Sequence, residues 1–118
     1  MLFNAEHYMK RLTSCNDDGE RLDAIHHILR ENSVEYEDYT FSGFTDIICK
    51  GSSDIWLSAH FDTVNNKYCA NDNTASLVNM LYLKLLVPEI NIVFLDAEEP
   101  PHMGLGSEYF SYYIKDNN

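Results

Sequence analysis

Two short polar clusters, each placed directly after an apolar run, have the composition of a hydrolytic site. His60 and Asp62 follow one run, Glu98 and Glu99 follow another, and Asp72 lies between the two clusters in the sequence. One imidazole and several carboxylates are the ligands that a divalent-metal hydrolase requires. Mixed histidine and carboxylate ligation suits zinc, with manganese or cobalt as alternatives. The sequence therefore predicts a metal-dependent hydrolytic site.

The spacing within each cluster indicates separate roles. Residues two apart on an extended chain point to the same side, so Asp62 is placed to hydrogen-bond the His60 ring while the other ring nitrogen binds metal. Asp72 has two carboxylate oxygens and could bridge two ions, although taken alone it is more often a helix cap. Of Glu98 and Glu99, one can bind metal while its neighbour takes a proton from water. Each pattern is common by itself, and only their ordered combination supports the prediction.

Two strands and a helix must bring these clusters together. Residues 55–59 and 90–95 are short apolar runs typical of strands buried on both faces, and residues 74–87 have helical periodicity. A right-handed crossover through that helix makes the strands parallel, with both carboxyl ends at one sheet edge. Open α/β sheets bind their ligands at that edge. Asp72 precedes the helix, so three segments are predicted to converge there.

The remaining pattern completes an α/β domain. One helix is predicted at residues 4–12 and a second from Asp17 and Asp18 onward. Residues 34–41 and 45–49 are predicted to form an antiparallel strand pair, and residues 104–114 a last helix. The order ααββ followed by βαβα predicts the α/β class, with a mixed β-sheet flanked by helices. A chain of 118 residues is expected to form a single domain, residues 1–118.

Composition and charge argue against several functions. The chain is 45% hydrophobic, which is sufficient for a packed core. With 19 acidic and 8 basic residues, its formal charge of −11 argues against nucleic acid or an anionic membrane as a partner. Its three cysteines show no CxxC spacing, so neither a disulfide framework nor a zinc-thiolate site is indicated. No targeting segment or bilayer-spanning run is visible, and a cytoplasmic location is expected.

The clusters and their flanking residues resemble peptidase family M28. The matching segments are Ser58-Ala59-His60-Phe61-Asp62-Thr63-Val64, Ala70-Asn71-Asp72-Asn73-Thr74-Ala75-Ser76, Phe94-Leu95-Asp96-Ala97-Glu98-Glu99 and the glycine-rich Gly104-Leu105-Gly106-Ser107. The spacing from His60 to Asp72 resembles M28 more than the related M20 peptidases, which usually follow their shared aspartate with a lysine-glycine pattern. The resemblance covers roughly residues 56–109. It implies a zinc aminopeptidase with a partial zinc-exopeptidase (phosphorylase/hydrolase-like) layered fold.

By position, the resemblance implies a role for each candidate residue. His60 would bind one zinc ion, Glu99 would bind the other and Asp72 would bridge them. Glu98 would be the general base, and Asp62 the hydrogen-bond partner of the His60 ring. The implied reaction is hydrolysis of an amino-terminal peptide bond in a peptide or aminoacyl substrate, with one or two zinc ions polarising the carbonyl.

The sequence departs from the family pattern after the paired glutamates. Family members are longer there, and they contribute a further aspartate and a further histidine as ligands together with later strands. Here only His102, Glu108 and Asp116 follow, and His102, after Pro100-Pro101, is the candidate substitute ligand. The resemblance thus implies a short or C-terminally truncated member with an open sheet edge. We expect self-association or a partner chain along that edge.

Three alternatives to an active aminopeptidase stay open. The chain could be an inactive peptidase-like remnant that binds metal or a peptide terminus, or a fragment of a longer enzyme that a partner chain completes. Cyclisation of amino-terminal glutamine also exists on the same scaffold and needs only one zinc ion. The intact spacing of His60 and Asp72 favours a two-metal hydrolase over the cyclase. Glu98 favours an enzyme over a binding remnant, whereas the missing ligands favour the remnant.

Overall fold

Four helices and four strands form a layered α/β structure in the computed structural model, which describes residues 3–64 and 73–117. In chain order the elements are α1 (Ala5–Thr13), α2 (Asp18–Glu31), β1 (Glu37–Phe41), β2 (Phe44–Cys49), β3 (Trp56–His60), α3 (Ala75–Leu86), β4 (Asn91–Leu95) and α4 (Leu105–Asp116). This order confirms the predicted α/β class with helices flanking a sheet.

The sheet is mixed, with the strand order β1-β2-β4-β3. β2 pairs antiparallel with both β1 and β4, whereas β3 and β4 are parallel. In the parallel pair His60 lies opposite Leu95, so the two strands end level with each other. This register confirms that the polar clusters leave the sheet at the same edge.

Helices cover both faces of the sheet. The core under α1, α2 and α3 includes the buried side chains Leu12, Ile28, Leu29, Ile47, Leu77, Val78, Leu81 and Phe94. The smaller core under α4 consists of Ile48, Val93, Leu95 and Tyr113. β4 contributes to both cores and is buried along its whole length, which explains its continuous apolar sequence. At roughly 1.5–3 kcal/mol for each large apolar side chain, this burial fixes β4 at the centre of the layers.

The first two helices begin at side-chain caps, at the positions where the sequence predicts the helices to start. The Oδ1 atom of Asn4 accepts a hydrogen bond from the backbone N–H of His7 at 3.0 Å. The Oδ1 atom of Asp17 accepts one from the backbone N–H of Glu20 at 2.8 Å. Each cap satisfies a donor that the helix cannot pair internally, which typically stabilises a helix by about 1 kcal/mol.

The longest helix among the described residues is α2, with 14 residues. A helix needs about 20 apolar residues to span a bilayer. Within residues 3–64 and 73–117, no helix combines the length and the hydrophobicity that a membrane crossing demands.

Two predicted burial patterns are wrong. β3 is not buried on both faces: Ser58 is exposed, because β3 lies at the edge of the described sheet and α4 packs mainly on β1 and β2. The helical periodicity of residues 74–87 places Tyr82 on one apolar stripe with Ala75, Val78, Leu81 and Leu85, but Tyr82 is 43% exposed. The buried side chains of α3 are instead Leu77, Val78, Met80, Leu81 and Lys84. The face of α3 is set by its contacts with α1, β3 and β4, which helical periodicity alone does not specify.

Candidate metal centre

The carboxyl ends of β3 and β4 bring His60 close to the paired glutamates. The Nε2 atom of His60 lies 3.5 Å from the Oε1 atom of Glu99. The other ring nitrogen, Nδ1, lies 3.1 Å from the backbone oxygen of Asp62 and 3.5 Å from its Oδ1 atom. Because Asp62 engages Nδ1, the ring presents Nε2 to Glu99. A nitrogen and an oxygen donor of the kinds that zinc prefers therefore face each other.

Asp62 links the two clusters. Asp62 is 4% exposed, and its two carboxylate oxygens accept from different backbone groups. Oδ1 accepts from the N–H of Glu98 at 3.1 Å, and Oδ2 accepts from the N–H of Glu99 at 2.9 Å. These bonds hold the backbone of the paired glutamates against the loop after β3. Asp62 thus does more than orient the His60 ring, the single role predicted for it.

The local charges shift the pKa values of both members of the His60–Asp62 pair. The hydrogen bond to the Asp62 carboxylate is the main cause that raises the pKa of His60 to about 8, against burial, which lowers it. Burial raises the pKa of Asp62, but hydrogen bonds from the His60 ring and from the N–H groups of Glu99 and Glu98 outweigh burial and hold that pKa below its usual value. The arrangement therefore favours an ionised Asp62.

Glu98 is held at the N-terminus of α4. Its Oε2 atom accepts from the backbone N–H of Ser107 at 3.1 Å, and its Oε1 atom accepts from the Ser107 hydroxyl. The N–H groups at a helix start lack partners within the helix and suit an anion. Ala97, just before Glu98, has φ 54°, a left-handed conformation that turns the chain sharply after β4. A carboxylate fixed in this way can accept a proton and return it.

Two buried aspartates support the turn after β4. The Asp96 carboxylate accepts from the N–H of Thr45 at 3.0 Å and from that of Ala97 at 2.8 Å. Its own N–H donates to the Oδ1 atom of Asp46 at 2.9 Å. Burial is the main cause that raises the pKa of Asp46 to about 8, although the Asp96 N–H opposes this. The Oδ2 atom of Asp46 is buried with no hydrogen-bond partner in the described structure.

Several residues that shape the site were not predicted from the sequence. Asp46 has a recognisable signal, since it is a single acid in a strand whose next three residues are apolar. Arg21 has one too, because it lies four residues before Ile25 and so falls on the apolar face of α2. The contact of Ser107 with Glu98 has no sequence signal, because it depends on how α4 packs.

The other candidate ligands from the sequence are Asp72 and His102. Asp72 lies outside the described residues. The ring of His102 packs edge-on against Phe44, with the ring centroids 4.4 Å apart, and its backbone N–H donates to the oxygen of Glu99 at 3.0 Å. This aromatic contact does not support His102 as a substitute ligand. Among the residues that the structure describes, no three His, Cys, Asp or Glu side chains form a metal-binding group.

The residues present nevertheless fit part of a zinc site. His60 and Glu99 place a nitrogen and an oxygen donor 3.5 Å apart, and Asp62 fixes the orientation of the ring. This combination of donor types and supporting carboxylate is the one that zinc sites use. The third ligand predicted from the sequence is Asp72.

Solved structures with the same fold cover nearly all of this chain. A protein of Bacteroides vulgatus assigned as a zinc-dependent exopeptidase has a TM-score of 0.63 and 17% identity, over 94% of this chain and 54% of its own. A leucine aminopeptidase precursor of Bacteroides thetaiotaomicron has a TM-score of 0.59 and 20% identity, over 94% and 57%. A glutaminyl cyclase of the same organism, bound to N-acetylhistamine, has a TM-score of 0.59 and 20% identity, over 94% and 56%. At these identities the likeness establishes the fold.

The chain spans a little over half the length of each of these structures. No curated protein matches its sequence. The model of peptidase family M28 matches residues 48–118, a stretch that contains His60, Asp72, Glu98 and Glu99. Because this match covers more than half of the chain and includes every predicted ligand, the chain belongs to peptidase family M28.

Proposed function

We propose that this chain carries the metal centre of a zinc-dependent aminopeptidase, which hydrolyses the amino-terminal peptide bond of a peptide or aminoacyl substrate. Glu98 and Glu99 both donate their backbone N–H groups to Asp62, which holds them beside His60, and this is the observation that carries the proposal. Membership of family M28 and the zinc-exopeptidase fold support metallopeptidase chemistry. The leucine aminopeptidase precursor of the same fold supports the choice of an aminopeptidase.

His60, Asp72 and Glu99 would hold the metal. His60 would serve as a ligand of one zinc ion, Glu99 of a second and Asp72 of both, and the same donors would accept manganese or cobalt. Bound zinc would polarise the scissile carbonyl and lower the pKa of water, so that hydrolysis can proceed at neutral pH.

Glu98 would serve as the general base and then as the general acid. Its carboxylate takes a proton from the attacking water and returns a proton to the leaving nitrogen as the C–N bond breaks. The two hydrogen bonds from Ser107 hold the carboxylate in one orientation during this exchange. Asp62 would fix the His60 ring and the glutamate backbone, and so hold the base Glu98 and the ligands His60 and Glu99 in constant relative positions.

Replacement of Glu98 by glutamine tests this role. The amide keeps the shape of the side chain but cannot take a proton. With zinc supplied, the wild type should hydrolyse an aminoacyl anilide, and Glu98→Gln should lower kcat by about 10²–10⁴-fold while zinc content is unchanged. Glu108→Gln is the matched control, because Glu108 lies on the exposed side of α4 and contacts Tyr112. This control should keep wild-type activity.

Two outcomes would contradict the proposal in different ways. If zinc binds but no Glu98-dependent turnover is seen, the chain is a binding remnant or an incomplete part of an enzyme. If zinc is absent from the purified protein and is not taken up on titration, the metal centre itself is disproved.

Cyclisation of amino-terminal glutamine is a second candidate. It is favoured by the glutaminyl cyclase of Bacteroides thetaiotaomicron, which shares the fold. In that reaction the terminal amine attacks the side-chain carboxamide and ammonia leaves. Ammonia release from a glutaminyl peptide, measured on the preparation used for the anilide assay, distinguishes the two activities.

A further inference from the structure

Arg21 is a buried cation on α2 that joins three separate segments of the chain. Arg21 is 3% exposed. Nε donates to the backbone oxygen of Phe61 at 2.6 Å, Nη1 donates to that of Leu12 at 2.9 Å, and Nη2 donates to the hydroxyl of Thr74 at 3.0 Å. One guanidinium therefore ties together the end of α1, the loop after β3 and the start of α3.

The contact at Phe61 reaches the metal centre. Phe61 stands between His60 and Asp62 in the sequence, and its side chain is 1% exposed. Its N–H donates to the oxygen of Leu95 at 2.9 Å, while its own oxygen accepts from Arg21. β4 thus fixes one side of this residue and α2 fixes the other. The backbone between His60 and Asp62 is therefore hydrogen-bonded to two other elements.

A second contact from α2 holds the far side of the same loop. The Oδ1 atom of Asp18 accepts from the N–H of Thr63 at 3.0 Å and from the Thr63 hydroxyl at 2.9 Å. Thr63 directly follows Asp62 in the sequence. Asp18 and Arg21 are three residues apart, so they lie on the same face of α2. Two side chains from one helix turn therefore hold the loop on both sides of Asp62.

The start of α3 is bound to the same loop. Thr74 is fully buried and accepts from Arg21, and the Asn73 amide lies 3.5 Å from the backbone oxygen of His60. Arg21 therefore fixes the loop after β3 relative to the first turn of the helix that follows it. A planar guanidinium with donors in fixed directions is well suited to hold such a junction.

We propose, on the basis of the function proposed above, that Arg21 and Asp18 are positioning residues for the metal centre. They hold the loop after β3 in the geometry that presents His60 Nε2 to Glu99. Both residues precede the stretch matched by the family model, which begins at residue 48. The helix α2 therefore takes part in building the site, although it contributes no ligand.

Lys84 provides a matched control. It is also a buried cation, 7% exposed, and its Nζ atom donates to the backbone oxygens of Lys50, Pro88 and Ile90. Lys50 precedes β3, and Pro88 and Ile90 precede β4, whereas the metal centre lies after the carboxyl ends of both strands. Arg21→Met and Lys84→Met each remove a buried cation that donates to three acceptors among the described residues, and they differ in whether those acceptors support the site.

The first measurement uses metal-free protein. Amide hydrogen exchange is followed at Thr63 and Glu99, whose N–H groups bond to Asp18 and Asp62. Arg21→Met should lose protection at these two amides beyond what its global stability, measured by denaturation, accounts for. Lys84→Met should lose only the protection that its global destabilisation explains. Equal, purely global losses in both variants would overturn the proposal.

The second measurement is zinc affinity by competition with a chelator. Loss of a group that orients a ligand typically lowers metal affinity by about 10- to 100-fold, and that loss is expected for Arg21→Met but not for Lys84→Met. Wild-type affinity in Arg21→Met would count against the positioning role. If the wild type takes up no zinc, the proposed function fails, and the exchange data alone decide whether Arg21 holds the loop.

Milder variants keep the test valid if Arg21→Met does not fold. Thr74→Val removes the hydroxyl that Arg21 Nη2 contacts, whereas Thr74→Ser keeps it. We expect Thr74→Val to lose protection at Thr63 and zinc affinity, and Thr74→Ser to retain both. Identical behaviour of these two variants would show that the contact does not position the site.

Discussion

The buried carboxylates of Asp62 and Asp46 have pKa values that are shifted in opposite directions, and their hydrogen-bond partners explain the difference. Asp62 is buried, yet it accepts from two backbone N–H groups and contacts the His60 ring, which together lower its pKa. Asp46 is also buried but accepts from one N–H group, and burial raises its pKa to about 8. Hydrogen bonds to a carboxylate favour its charged form, whereas burial without them favours the neutral form.

Asp46→Asn should therefore alter how stability depends on pH. Because the folded-state pKa of Asp46 is raised, its contribution to stability is fully present below the unfolded-state pKa, near 4, and is lost as pH rises to about 8. Asparagine keeps an oxygen that can accept from the Asp96 N–H and carries no charge. Relative to the wild type, the free energy of unfolding of the variant should therefore increase by about 2–4 kcal/mol as the pH rises from 4 to 8.

The measurement is urea denaturation at several pH values. The informative quantity is how the difference in free energy of unfolding between Asp46→Asn and the wild type changes with pH. Asp54→Asn, on an exposed residue, sets the background. The carboxylates of Asp96, Glu98 and Asp62 are the nearby charges that also favour a neutral Asp46. A constant difference between Asp46→Asn and wild type across this pH range would show that Asp46 ionises normally in the folded protein.

Among the elements, α4 depends on a close approach to the end of β4. A Cβ atom on Gly106 would lie 1.9 Å from the backbone oxygen of Asp96 and 3.0 Å from the Oδ1 atom of Asp46. The first turn of α4 thus rests directly on the turn after β4. Ser107, the next residue, bonds to Glu98, so the position of α4 also sets the position of the proposed base.

Gly106→Ala is expected to displace α4. Because the added methyl group meets backbone rather than a flexible side chain, we expect a loss of about 1–3 kcal/mol or more in the free energy of unfolding. The movement of Ser107 should also lower turnover of the aminoacyl anilide. Gly19→Ala is the control, because its Cβ would approach only the side chain of Asp17, at 3.3 Å. Equal stability of the two variants would disprove the close contact.

At the scale of the whole molecule, β3 ends the described sheet with one side unpaired. Alternate residues of a parallel strand bond to the same neighbour. Ile55 accepts from the N–H of Asn91, and Phe61 donates to the oxygen of Leu95, so the odd-numbered residues bond to β4 and Ser58 faces outward. Such an edge accepts a further strand. The solved structures with this fold are longer chains, of which this one covers 54–57%.

We therefore expect two copies of this chain to associate through β3 when it is alone in solution. Light scattering at high concentration should give a mass above that of the monomer. Ser58→Pro removes an outward-facing N–H without removing a bond to β4, so it should reduce the mass to that of the monomer. Ser58→Thr keeps the N–H and should behave as the wild type. A monomeric wild type at high concentration would contradict this expectation.

Sequence pattern was sufficient to predict the elements and the shared edge of the site. Helical periodicity, the caps Asn4 and Asp17, and the apolar runs around His60 and Glu98 depend on neighbours in the chain, so they can be read without a structure. The hairpin turn at Ser42-Gly43 also depends on neighbouring residues alone, because both residues take the positive φ that a tight hairpin needs. Family membership also follows from spacing and flanking residues alone.

Only the tertiary structure decided what surrounds the predicted ligands. The hydrogen bonds that Asp62 accepts from Glu98 and Glu99 join residues 36 and 37 positions apart, and the bond that Arg21 donates to Phe61 spans 40 positions. The edge position of β3 depends on which strands pair, and the exposure of Tyr82 depends on what α3 packs against. The sequence determined which residues can bind metal and transfer protons. Packing between distant segments determined which of them lie together, because burial and long-range hydrogen bonds exist only once the layers have assembled.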